Sequence, residues 1–144
     1  MHGNRLMYVA LKALIEKDGE VLVLKDPNLP ADGLDYPGGK ISEDEFDIET
    51  PLRREVKEEC GLEIEIGRPV YAWMHQFKDR GGKQYKVREV FIVAYACKYK
   101  SGEVKLSEEH NDYFWVNKSN YKRLDTGGNY FKALDTYFKN HHKK

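Results

Sequence analysis

Apolar residues along the chain fall into short runs separated by turn-forming residues. Residues 7–16 and 20–25 are rich in Val, Leu and Ile, with Lys17-Asp18-Gly19 between them. Asp-Gly between two such runs predicts a β-hairpin. Residues 26–33 carry two prolines and predict a loop. The stretch Asp35-Tyr36-Pro37-Gly38-Gly39-Lys40 predicts a tight turn, because paired glycines let the main chain approach a ligand closely. An acidic loop poor in apolar residues runs on to Glu49.

Thr50-Pro51 predicts a helix start. Thr is a favoured N-cap, and a proline at the first helical position gives up an N–H that would be unpaired anyway. Leu52, Val56 and Cys60 recur at i, i+4 and i+8 as one buried stripe, and Gly61 closes the helix. Residues 62–66, 70–77 and 85–97 then read as strands, with Asp79-Arg80-Gly81-Gly82 as the turn between the last two. Lys100-Ser101-Gly102 reads as a turn and 113–116 as a short strand. Residues 129–140 predict a second helix, with Tyr130, Phe131, Leu134, Tyr137 and Phe138 at helical spacing. Strands and hairpins around two helices predict a mixed α/β domain with a partly antiparallel sheet.

Composition narrows the class. With 144 residues the chain is expected to form one domain, 1–144, burying roughly 68–70% of its unfolded surface. Hydrophobic residues make up 40%, charged residues 33% and mean hydropathy is −0.75, which argues against a membrane span. The run 6–15 is interrupted by Lys12 and lacks a cleavage-site pattern, so it reads as a strand and not as a secretory signal. Lys+Arg and Asp+Glu balance at 24 each, and no overall field points to nucleic acid or membrane. Cys60 and Cys97 make neither a disulfide framework nor a zinc spacing. They read as core residues of a reduced, cytoplasmic protein.

The acids are unevenly placed: eight of the 24 fall between positions 43 and 59. Glu55, Glu58 and Glu59, at i, i+3 and i+4, share one helix face. Like charges at these spacings cost a helix about 0.2–0.5 kcal/mol per pair. They also lie toward the end whose dipole disfavours negative charge. Such a breach of local rules is expected at a functional site. Two readings follow: a solvated acidic face, or a site for a hard divalent cation, Mg²⁺ or Mn²⁺.

The surrounding pattern favours the second. Arg54-Glu55-Val56-Lys57-Glu58-Glu59-Cys60-Gly61-Leu62, with Gly39 and Glu45 upstream, resembles the Nudix box, Gly-x5-Glu-x7-Arg-Glu-apolar-x-Glu-Glu-x-Gly-apolar. The chain is similar to Nudix hydrolases of the MutT kind also in its leading strands, its Tyr-Pro-Gly-Gly-Lys segment and Glu108-Glu109-His110 before Trp115-Val116. The resemblance implies an α/β/α sandwich with a mixed sheet. It also implies a metal site formed by Glu55, Glu58, Glu59 and the Gly39 carbonyl, with Arg54 orienting Glu55. Glu55, Glu59 and, outside the box, Glu109 are candidates for the general base, and His110 is a further candidate for proton transfer. One departure is visible: eight residues separate Glu45 from Arg54 where the box has seven. That leaves Glu45, Asp44 and Asp47 as alternative partners for Arg54.

The family acts on a nucleoside diphosphate linked to another moiety, so the resemblance implies a nucleotide-type substrate. Tyr36, Trp73, His75 and Lys40 are candidate substrate contacts, and Tyr71 and Phe77 share the strand face of Trp73 and His75. Each aromatic could equally pack the sheet. Lys78, Arg80, Lys83, Lys86 and Arg88 read as a phosphate-attracting hairpin or a solvated loop tip. Family subgroup marks for ADP-ribose, dinucleoside polyphosphate and NADH hydrolases are absent at their usual spacings. The expectation is therefore hydrolysis of a nucleoside triphosphate, or a modified one, to the monophosphate and pyrophosphate. ADP-ribose or dinucleoside polyphosphate hydrolysis and a non-catalytic nucleotide sensor are the alternatives. A homodimer is left open, and neither a membrane nor a nucleic-acid partner is expected.

Overall fold

The computed structural model describes residues 3–26, 33–78 and 87–140. The leading hairpin is as the pattern predicts. Strand β1 (Tyr8–Lys17) turns through Asp18 (φ 52°) and Gly19 (φ 83°) into β2 (Glu20–Lys25). The turn expected over Asp35–Lys40 is instead mostly strand: β3 (Leu34–Asp35) pairs with β2, and β4 (Gly38–Lys40) pairs antiparallel with β1. Close approach is what this pairing demands of the glycine. A Cβ at Gly38 (φ 147°) would lie 1.9 Å from the Leu11 carbonyl oxygen.

Helix α1 (Glu49–Cys60) begins one residue before Thr50, so Thr50 and Pro51 lie inside the first turn. Asp47 supplies the cap instead: its Oδ2 accepts the Thr50 N–H at 2.9 Å. Pro51 remains tolerated, since the first four N–H groups have no partner within the helix. Gly61 closes α1 at φ 77°, donating its N–H to the Lys57 carbonyl.

The strands expected separately at 62–66 and 70–77 are in fact one strand, β5 (Glu63–Lys78), whose register shifts near Pro69. Proline cannot donate to a ladder, and a bulge on an edge strand accommodates it. Its partner β6 (Val87–Ser101) is followed by β7 (Asp112–Val116), a 3₁₀ turn at Tyr121–Leu124 and α2 (Asn129–Asn140). The predicted turn at 79–82, with Arg80, Lys83 and Lys86, lies outside the described residues, as does most of the loop at 26–33.

The sheet order is β3-β2-β1-β6-β5, with β4 on β1 and β7 on β2. Pairing is antiparallel except at its centre, where β1 runs parallel to β6. Alternation along β1 separates two cores. Leu11, Ala13 and Ile15 join the Leu52, Val56 and Cys60 stripe of α1. Ala10 and Leu14 join Val90, Ile92 and the aromatic face of α2. Lys12 occupies the intervening position on that second face. The result is an α/β/α sandwich. Cys60 and Cys97 are buried, free thiols, each with its pKa pushed up to about 12 by burial.

Candidate active site

A cavity of about 370 Å³ opens where β4 meets the C-terminal half of α1. Its lining includes Gly38, Gly39 and Lys40 of β4, Glu55 and Glu59 of α1, and Glu109 of the loop before β7. Ala10, Val90, Ile92 and Tyr130 give it an apolar wall, and Lys12, Asp26 and Asp35 add a charged one.

The helix places Glu55 and Glu59 one turn apart. Glu59 is buried, and its Oε2 accepts the Gly38 N–H at 3.1 Å. Burial pushes its pKa up to about 7, against the opposing pulls of the Lys12 charge and that hydrogen bond. Glu55 is also raised by burial, with Glu58 and Glu109 adding repulsion and Arg54 opposing. Arg54 spans the acids: Nη1 to Glu55 and Nη2 to Glu45, both at 2.9 Å, and Nη1 to Glu58 at 3.7 Å. Glu45 is thus the partner of Arg54 despite the extra loop residue, while Asp47 caps the helix. The loop absorbs the insertion by leaving Phe46 95% exposed.

Beneath this lies a buried charged array, of which sequence reasoning singled out His110 alone as a candidate. Lys12 Nζ contacts Asp35 Oδ1 at 3.1 Å and donates to the Tyr36 carbonyl at 3.3 Å. Asp35 Oδ2 meets His110 Nε2 at 2.9 Å, and Asp35 Oδ1 also accepts the Tyr36 N–H. A carboxylate can only accept, so Nε2 carries the proton. Burial disfavours the charges of both Lys12 and Asp35, yet their mutual attraction prevails, raising the pKa of Lys12 and lowering that of Asp35. For His110 too, burial lowers the pKa, but the Asp35 hydrogen bond and charge outweigh it and the net shift is upward. The signal for Lys12 was available: a cation between Ala10 and Leu14 on a strand face that otherwise reads as core.

Of the four residues expected to contact substrate, Lys40 lines the cavity. Tyr36 is fully buried, its hydroxyl donating to the Tyr130 carbonyl at 2.6 Å. Trp73, 6% exposed, packs between Tyr71 and Tyr130, and half-buried His75 lies farther along β5. Glu58 is not among the residues that line the cavity, and its side chain is 60% exposed.

Two groups of side chains carry the donor types a cation needs. Asp26, Asp35 and His110 bring ligand atoms within 4.8 Å of one another. Both Asp35 oxygens are already engaged, however, one by the Lys12 ammonium, so this group does not fit a metal ion. Glu55, Glu59 and the Gly39 backbone do fit one. Their donors are all oxygen, and both carboxylates line the same cavity. The space before Glu55 is kept by a glycine, since a Cβ at Gly39 would lie 2.6 Å from the Glu55 Cδ. Oxygen-only sets of this kind suit hard divalent cations.

Residues 6–136 match the NUDIX domain family, and the chain belongs to that family of hydrolases. It is 29% identical over 122 residues to the nucleoside triphosphatase NudI of Klebsiella pneumoniae (strain 342), spanning 78% of this chain and 83% of that protein. Among solved structures, the MutT protein of Methanosarcina mazei Go1 superposes with a TM-score of 0.70 at 27% identity, over 99% of this chain and 100% of the other. An ADP-ribose pyrophosphatase of Streptococcus suis 89-1591 gives a TM-score of 0.67 at 19% identity, over 96% and 95% of the two chains. That last likeness concerns the fold alone.

Proposed function

We propose that the protein hydrolyses a nucleoside triphosphate, or a modified one, to the monophosphate and pyrophosphate. The observation that carries the reading is the joint lining of one cavity by Glu55, Glu59, Gly39 and Glu109 beside the apolar wall of Ala10, Val90, Ile92 and Tyr130. One end suits a phosphate chain with its counter-ion, and the other suits a base. The kinship to NudI supports the choice of a triphosphate.

In this reading Glu55, Glu58, Glu59 and the Gly39 carbonyl hold Mg²⁺ or Mn²⁺, which when bound neutralises phosphoryl charge. Arg54 fixes the rotamer of Glu55, and its pairing with Glu45 holds the guanidinium in turn. Gly38 does the same for Glu59. Lys40 at the mouth, 5.1 Å from the Tyr8 ring centroid, offers charge to the phosphate chain. Glu109 enters the same cavity from the loop before β7 and is exposed, so it takes the proton of the attacking water and returns it to solvent. Water oxygen bonds to phosphorus as the P–O bond to the leaving phosphate breaks, and the ester to the nucleoside stays intact.

The test is a panel of nucleoside triphosphates, ADP-ribose and dinucleoside polyphosphates with Mg²⁺ in ¹⁸O-water. Monophosphate and pyrophosphate carrying one label on a phosphate product are expected. Label on a sugar carbon overturns the reaction, and preferred turnover of ADP-ribose or a dinucleotide overturns the substrate. Binding without turnover makes the protein a sensor.

A further inference from the structure

We propose that His110 is a positioning residue, one that sets Glu109 against the helix carboxylates through its hydrogen bond to Asp35. The inference rests on the functional reading above and adds to it the means by which two walls of the site are held in register.

The loop between β6 and β7 is anchored by backbone bonds at three points. Lys105 N–H binds the Cys60 carbonyl, Ser107 N–H the Glu59 carbonyl and Asn111 N–H the Lys25 carbonyl, at 2.9, 2.9 and 3.2 Å. Between the last two, the backbone has, among the described residues, one long contact, His110 N–H to the Ser107 carbonyl at 3.4 Å. Glu109 lies in that interval and is exposed. Its neighbour His110 turns inward, its side chain only 2% exposed, and reaches Asp35. The imidazole is therefore the inward anchor of the residue beside it.

What it is anchored to matters as much. Asp35 ends the strand that leads into Gly38, and the Gly38 N–H holds Glu59. Lys12, on the central strand, fixes Asp35 and the Tyr36 carbonyl together. One carboxylate thus serves as common origin for the segment that holds Glu59 and the loop that carries Glu109. The chemistry of His110 suits a fixed strut. Nε2 is spent on Asp35, and Nδ1 is buried without a hydrogen-bond partner among the described residues, so neither nitrogen faces substrate.

Because a displacement of about 1 Å at a reacting group can cost ~10²-fold in rate, His110→Leu should lower kcat by about that factor with KM unchanged. His110→Gln, whose amide reaches Asp35 as Nε2 does, should restore most of kcat. In a double-mutant cycle, Glu109→Gln with His110→Leu should be no slower than Glu109→Gln alone, since the histidine acts through the glutamate. Amide hydrogen exchange should quicken in 107–111 and stay unchanged in α1. If His110→Leu does not fold, His110→Asn against His110→Gln carries the same contrast, because the shorter amide falls short of Asp35. Additive losses, a change confined to KM, or exchange that rises across the whole chain would overturn the proposal while leaving the hydrolase reading intact. An inactive wild-type protein overturns both.

Discussion

Glu59 shows how a single side chain can weaken a fold and serve its site. With its pKa raised from 4.5 to about 7, the folded chain holds this proton more tightly than the unfolded chain does. Metal-free stability should therefore fall as pH rises from 4.5 to 7, by roughly 3 kcal/mol at most, since a tenfold change in proton affinity is worth about 1.4 kcal/mol. His110, also raised, adds stability below 6.5 that is lost as pH climbs through its folded value. Asp35, lowered, adds stability that is lost as pH falls through its folded value. Urea titrations in chelator across this range should show the decline, and Glu59→Gln should abolish the Glu59 part of it. The same variant should raise the melting temperature in alkaline chelator yet lower kcat by more than the ~10–100-fold that loss of a partner behind a metal ligand costs. A lowered melting temperature would make Glu59 a structural residue. At this scale the shared face of Glu55 and Glu59 was legible, because helix spacing reports it, whereas Glu58 lies outside the cavity lining. Lys12 was legible only as a cation on a core face, and Asp35 was not, because its meaning lies in a contact between strands that no local period encodes.

At the scale of elements, the start of α1 illustrates where local patterns mislead. Thr50 has good capping chemistry, but Asp47 is three residues earlier and its carboxylate already takes the Thr50 N–H. Asp47→Ala should cost about 0.5–2 kcal/mol in a denaturant titration, and Thr50→Ala clearly less. Equal losses would return the cap to Thr50. The helix stripe, its glycine stop and α2 over Asn129–Asn140 were readable because 3.6-residue periodicity and an αL glycine are local signals. The joining of two predicted strands into β5 was hidden, since Pro69 reads as a break until the edge position makes a bulge acceptable. The partner of Arg54 was equally hidden, because a loop with one extra residue can present any of several acids. Choosing Glu45 required knowing that Phe46 turns out to solvent.

For the molecule as a whole, the acidic cavity couples ligand binding to stability. Carboxylates held together by the fold are costly until a cation shares their charge, so Mg²⁺ or Mn²⁺ should raise the melting temperature. Mass action gives about 2.7 kcal/mol at a hundredfold excess over Kd. A calorimetric scan with no shift at millimolar metal would count against the site. No helix among the described residues is long and apolar enough to cross a membrane.

The parallel pairing of β1 with β6 has a consequence for the order in which the molecule is made. Its nine residue pairs join positions 82 apart, Tyr8 to Val90 through Glu16 to Lys98. At about 5–20 residues per second on the ribosome, β1 waits roughly 4–16 s for its central neighbour. Through that interval the hairpin and α1 can form, but Ala10 and Lys12 have no Ile92 beside them. The cavity and the middle of the sheet must then close in one late, long-range step, of the kind that keeps sheet-centred topologies in the slower part of the folding range. A nascent chain stalled before β6 would present Leu14 and the unpaired edge of β1 to the cell as an open strand.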